Sequence, residues 1–249
     1  MVAPTPVSAL LHAVAVVKVG VFCTTRVMLY TFGIDTMTNL NLGIPTAYFV
    51  GFTVLAASVI ALSKDNLKSR LAYSTVSQLS YIIMGVALLT DAGIQGGLIH
   101  IVNHAFSKIT LFFCAGAIFV ATGKKYVSEL RGLGRKMPLT MGAFMIGALS
   151  VIGLPPLGGF ISKWYLALGA LDRDAVWVVI VLLISSLLNV FYLLPVAVTA
   201  FFRTSETEKD PSFKEAPWQC VVPLVLTATG CFFLFFWSDI LLQMIGLEP

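Results

Sequence analysis

Charge is what this sequence has least of. Only 11% of its 249 residues are charged, against 58% hydrophobic, where a soluble domain carries about a quarter charged residues. A water-facing surface of ordinary size cannot be built from that supply, which excludes an ordinary soluble domain. Acids are scarcer than bases, 12 against 16, and no carboxylate falls clearly within a long apolar run. The four cysteines, Cys23, Cys114, Cys220 and Cys231, show no CxxC spacing and read as small packing residues. There is no iron–sulfur cysteine cluster, no GxGxxG on a βαβ unit and no haem-attachment motif. No cofactor and no resident metal are therefore expected, and any redox step would belong to partner subunits. The N-terminal MVAPTPVSALLHAV lacks a basic n-region and a cleavage site, and reads as the interior of a longer chain. Low-complexity tracts and short repeats are missing as well.

What is present is a series of long apolar runs. Seven segments, roughly 8–30, 44–62, 70–90, 94–120, 138–170, 174–202 and 217–240, are each long enough for the roughly twenty residues that cross the hydrocarbon. The expected fold is all-α, a polytopic transmembrane bundle of about seven helices forming a single domain over 1–249. The fifth segment is too long for one simple helix. Its middle reads Gly153-Leu154-Pro155-Pro156-Leu157-Gly158-Gly159, and two prolines remove backbone donors and clash with the preceding turn. Two half-helices with a break at membrane depth are expected, and such a break is tolerated only where protein or a water-lined cavity satisfies the backbone. A simple proline kink is the alternative.

The loop charges are lopsided. Lys64, Lys68 and Arg70, then Lys124, Lys125, Arg131, Arg135 and Lys136, then Arg203, Lys209 and Lys214 fall in alternate loops, eleven basic residues on one side. The opposite loops hold Arg173 beside Asp35, Asp91, Asp172 and Asp174. The positive-inside rule puts the eleven in the cytoplasm, with the N-terminus inside and the C-terminus outside. The basic residues therefore read as membrane orientation signals, not as a nucleic-acid surface.

Four basic residues remain inside the spans: Lys18, Arg26, Lys108 and Lys163, with all three histidines, His12, His100 and His104. A lysine at mid-helix costs about 2.5–3.5 kcal/mol on insertion scales and is a functional candidate by default. Arg26 is close enough to a span end to snorkel. His100, His104 and Lys108 are spaced i, i+4, i+8 and share one helix face, a column about 12 Å tall. Desolvation and mutual repulsion weaken proton binding on such a column, and histidine already titrates near neutrality, so protons can pass in steps with water filling the gaps. His-x3-His is also a metal-ligand spacing, but the zincin glutamate is missing and Lys108 would repel a cation. Satisfied packing histidines are the plainer alternative. Lys163, just past the break, can exchange protons or cap carbonyls that the break frees. Lys18 and His12 lie on different faces of the first span, so a direct contact is not expected.

The stretches APTPVSALLHAVAVVKVGVF (3–22), KSRLAYSTVSQLSYIIMG (68–85), HIVNHAFSKITLFFCAGA (100–117) and MPLTMGAFMIGALSVIGLPPLGGFISKW (137–164) carry a family resemblance. The chain resembles the proton-translocating antiporter-like subunits of the Mrp-type monovalent cation/proton antiporter, subunits A and D, and of NADH:quinone oxidoreductase. The resemblance covers nearly the whole chain and weakens after about residue 200. It implies fourteen core helices with two inverted five-helix repeats, each contributing a broken helix and a half-channel. The seven segments here look like the eighth to fourteenth helices, with 44–202 as the second repeat. On that mapping Lys18 matches the lysine bridging the half-channels. His100, His104 and Lys108 match the central relay, and Lys163 the terminal lysine of the broken twelfth helix. Helices one to seven of the family are missing here, and with them a glutamate and a lysine. The expected role is the C-terminal half of a proton-translocating subunit in the plasma membrane. Its expected partners are the lipid bilayer, other membrane subunits and a chain carrying the missing seven helices, with no nucleic acid. A non-conducting half that needs a partner chain, and a stand-alone cation transporter using the two histidines, are the alternatives.

Overall fold

A computed structural model describes residues 5–11, 15–202 and 215–245. It contains twelve α-helices: α1 (Thr5–Ala9), α2 (Val16–Arg26), α3 (Ile34–Asn39), α4 (Gly43–Ser63), α5 (Leu67–Ala87), α6 (Asp91–Thr122), α7 (Leu133–Lys136), α8 (Pro138–Ile152), α9 (Gly158–Asp172), α10 (Val176–Phe202), α11 (Trp218–Phe236) and α12 (Ser238–Ile245). Among the described residues the only extended pairing is an isolated bridge between Asn66 and Tyr126. The chain is a polytopic helical membrane protein.

Four helices, α4, α6, α10 and α11, are long and apolar enough to cross a membrane. Their outward faces carry Phe49, Phe52, Leu183, Leu187, Leu226 and Phe236, large apolar groups suited to lipid. The other three expected segments are not among these four helices. The segment expected at 70–90 is α5, long enough at 21 residues but too polar to count as apolar. Its Ser74, Thr75, Ser77, Gln78 and Ser80 are all buried, so it is an inner helix wrapped by others. The segment expected at 138–170 is α8 and α9, 15 residues each, separated by a turn. The first segment, expected as one span over 8–30, is described over 8–11 and 15–30. α1 ends at Ala9, the Ala15 amide reaches back five residues to Leu10 O at 2.9 Å, and Ala15 takes φ −99°, ψ −81°. α2 then widens into a π-helix over Val27–Phe32, a one-residue loosening that disturbs the regular ladder.

Helix boundaries follow from local chemistry. Asn66 caps α5 by accepting from Ser69 N at 3.1 Å. Thr90 caps α6 by accepting from Gly93 N at 3.3 Å, and its hydroxyl donates to Gly169 O of α9 at 3.1 Å. α6 stops where Gly123 turns left-handed. α8 opens on Pro138, whose missing N–H is no loss in a first turn.

One end of the bundle gathers the basic loops. Leu67 N donates to Lys125 O at 3.0 Å and Val127 N to Asp65 O at 2.9 Å. Ser128 donates to the Asp65 carboxylate through both its amide, at 3.1 Å, and its hydroxyl, at 2.8 Å. The turn after α4 is thereby stitched to the one after α6. Glu215, just ahead of α11, accepts from Leu139 N and Thr140 Oγ1, each at 2.7 Å, a carboxylate at the positive end of α8. At the same end the Glu129 carboxylate accepts from Tyr126 N at 3.1 Å and Lys125 N at 3.0 Å. Those two amides hold it below the usual carboxylate range.

Candidate functional site

α6 carries the column. His100 and His104 are each 2% exposed and Lys108 is fully buried, so the i, i+4, i+8 face points into the bundle. The two imidazole rings stand 5.8 Å apart with 27° between their planes. His100 Nδ1 pairs with Ser162 Oγ of α9 at 2.8 Å. Its Nε2, and both ring nitrogens of His104, have no hydrogen-bond partner among the described residues. Buried polar atoms of this kind are where ordered water sits. Lys108 Nζ donates to Leu71 O at 3.3 Å and to Ser74 Oγ, both on α5. Lys18, on α2, is also buried, and its charge reaches His100, His104 and Lys108. Four basic side chains from two helices thus share one interior.

The break is built around Lys163. α8 ends where Gly153 takes φ +90°, a conformation that favours glycine. Gly153 N donates to Ser150 O at 3.1 Å and Leu154 N to Leu149 O at 3.1 Å, the paired bonds of a Schellman cap. Pro155 and Pro156, joined by a cis peptide bond, carry the chain to α9. Gly158 O accepts from Asn103 Nδ2 of α6 at 2.6 Å. Gly159 packs so closely that a Cβ there would lie 1.8 Å from Ser150 O. One turn later Lys163 folds back over the cap. Its Nζ donates to Val151 O at 3.0 Å, Ile152 O at 2.8 Å and Ser186 Oγ of α10 at 2.9 Å. It also stands 5.3 Å from the Tyr81 ring centroid, a cation–π contact. The negative end of α8 is therefore the counter-charge for Lys163.

The structure thus brings Lys18, His100, His104, Lys108 and Lys163 into one polar interior. His12 lies outside the described residues. Arg26 is exposed and rests over the Phe22 ring at 5.9 Å. The two histidines acquire no third ligand: no group of three His, Cys, Asp or Glu side chains gathers among the described residues.

Sequence reasoning missed the polar lining between these bases. α5 contributes Ser74, Gln78 and Tyr81, and α10 contributes Ser185, Ser186, Asn189 and Tyr192. Tyr81 meets the His100 ring edge-on at 5.5 Å, and Tyr192 OH donates to Asn189 Oδ1. The available signal was compositional: a helix with four serines and a glutamine in an apolar chain, and a lone asparagine in the apolar run of α10.

The family model described as NADH:quinone oxidoreductase/Mrp antiporter, TM, matches residues 1–189. The chain is 36% identical over 238 residues to NADH-quinone oxidoreductase subunit N of Desulforudis audaxviator, covering 91% of this chain and 47% of that protein. It is 35% identical to NADH-quinone oxidoreductase subunit L of Rickettsia bellii, covering 94% of this chain and 35% of that one. The chain spans about half or less of the length of these curated relatives. Its fold is similar to a chain of the Mrp complex from a Dietzia species, with TM-score 0.83 and 21% identity over 92% of this chain and 50% of that one. It is also similar to a chain of the membrane-bound sulfane sulfur reductase, an archaeal respiratory membrane complex. There the TM-score is 0.87 and the identity 25%, over 98% of this chain and 49% of that one.

Proposed function

This chain belongs to the NADH:quinone oxidoreductase/Mrp antiporter transmembrane family, and from that premise we propose that it is the C-terminal, proton-conducting half of an antiporter-like subunit. It works within a multi-subunit assembly of the Mrp or NADH:quinone oxidoreductase type, alongside a chain or segment carrying the first half of the subunit. It sits in the plasma membrane with its basic end in the cytoplasm, its N-terminus inside and its C-terminus outside. Protons move along Lys18, then Lys108 with His100 and His104, then Lys163; His12 serves the approach to Lys18.

The observation that supports this most is that the buried Lys108 and the half-buried Lys163 have no carboxylate partner among the described residues. Lys108 is held by one carbonyl and one hydroxyl, Lys163 by two carbonyls and one hydroxyl. A structural ion pair would bring an acid. Neutral acceptors let each amine gain and lose a proton without leaving a buried carboxylate unpaired. Each lysine is also within the reach of another base, so protonating one raises the energy of protonating the next. That is the coupling a stepwise relay needs.

The test is proton transport by the assembled complex in proteoliposomes, read with a pH-sensitive dye. Lys108→Ala and Lys163→Ala should each abolish it while the complex still assembles. Full transport by either variant sinks the proposal and leaves a non-conducting half.

A further inference from the structure

Between Lys108 and Lys163 lies a second line of polar groups that the histidines do not belong to. Lys108 Nζ donates to Ser74 Oγ. Ser74 stands beside the Tyr192 phenol, and Tyr192 OH donates to Asn189 Oδ1. The Asn189 amide stands beside the Tyr81 hydroxyl, which Ser185, Ser186 and Gln78 also surround. Ser186 Oγ accepts from Lys163 Nζ at 2.9 Å. Tyr81 and Tyr192 are fully buried, as are Ser74 and Asn189. Buried phenols normally find one firm partner. Tyr81 OH is instead set among four polar side chains and makes no hydrogen bond of good geometry to any of them, an arrangement that lets it change partners.

We infer that Ser74, Tyr192, Tyr81 and Ser186 form a hydroxyl route on α5 and α10 that carries protons between Lys108 and Lys163 beside the histidine column. This inference rests on the proposed function and adds the residues that join its two lysines. Asn189 is a positioning residue: it holds the two phenols in line and does not itself take the proton. In one passage the Lys108 ammonium gives a proton to Ser74, and Ser74 passes its own to Tyr192. Tyr192 passes one to Tyr81, directly or across one water, Tyr81 to Ser186, and Ser186 to the Lys163 amine. Lys108 ends neutral, Lys163 ends charged, and every hydroxyl keeps one hydrogen. With both lysines charged, both ends donate into the route and nothing moves. The route therefore conducts only when one lysine is charged and the other neutral.

The experiment uses the assembled complex in proteoliposomes. Tyr192→Phe and Tyr81→Phe should each slow transport at least about tenfold, short of the ~100-fold a positioned proton-transfer group can contribute because the histidines persist as a second path. Replacing Tyr192 by a fluorotyrosine, which keeps the shape and makes the phenol more acidic, should shift the pH profile of transport. A purely structural phenol would leave the profile unmoved. Wild-type transport in both Phe variants while Lys108→Ala and Lys163→Ala are dead overturns the hydroxyl route alone. So does an unshifted profile with the fluorinated residue. Retained transport in the lysine variants overturns the route together with the function it rests on.

Discussion

Lys108 and Lys163 put the same ammonium group inside the same bundle by opposite means. Lys108 projects from the middle of the unbroken 32-residue α6 and borrows its acceptors from a neighbouring intact helix. One of them, Leu71 O, already accepts the Thr75 hydroxyl at 2.9 Å. Lys163 stands on a half-helix and takes carbonyls that exist as free acceptors only because α8 stops. Hydrogen bonds to charged groups contribute about 1.5–3 kcal/mol each. Three of them offset the roughly 2.5–3.5 kcal/mol of placing a lysine at membrane depth more fully than two, one of which is shared. Breaking a helix is thus a way to hold a charge firmly, whereas an intact helix holds it loosely. The first arrangement makes the lysine part of the fold, and the second leaves it mainly to function.

The sharpest test of that difference is Lys163→Met in the assembled complex. It should abolish proton transport and also lower unfolding stability by about 2–6 kcal/mol, since two carbonyls lose a donor at about 1–3 kcal/mol each. Lys108→Met should abolish transport equally but change stability by only about 1 kcal/mol, because a buried charge leaves together with its bonds. Equal destabilisation in the two variants, measured by thermal unfolding in detergent, would break the comparison. Gly153→Ala acts on the Lys163 side alone. It forces a Cβ into a φ of +90° and should cost about 1 kcal/mol or slightly more, with transport reduced but not lost. The smallest effect belongs to Glu129, far from either lysine. Its carboxyl is held low in the folded state, so it contributes stability above its unfolded pKa that is lost as pH falls through the folded one. Glu129→Gln should slightly flatten stability against pH in the acid range and leave transport at wild-type rate.

The column of His100, His104 and Lys108 was legible because it is local: residues four apart on one helix are neighbours whatever the rest of the chain does. The break was legible for the same reason, since Pro155 and Pro156 act on their own backbone. The groups between the lysines were not. Ser74 meets Lys108 across 34 positions, and Lys163 meets Ser186 across 23, contacts that no spacing rule reaches. α5 was legible as a helix, but its inner position was not, because that depends on its serines and Gln78 facing other helices and not lipid. The widening of the first segment over Val27–Phe32 had no sequence signal at all, since that stretch holds neither proline nor glycine.

The stitching at the basic end has a mechanical consequence. α5 and α6 are joined at one end by the short connection 88–90. At the other they are tied by Leu67 to Lys125, Val127 to Asp65 and Ser128 to Asp65. A hairpin pinned at both ends is a closed frame, and a closed frame cannot splay or slide like a lever without first undoing those ties. Whatever cycles inside it must do so by turning side chains and trading hydrogen bonds, with the frame standing still around them.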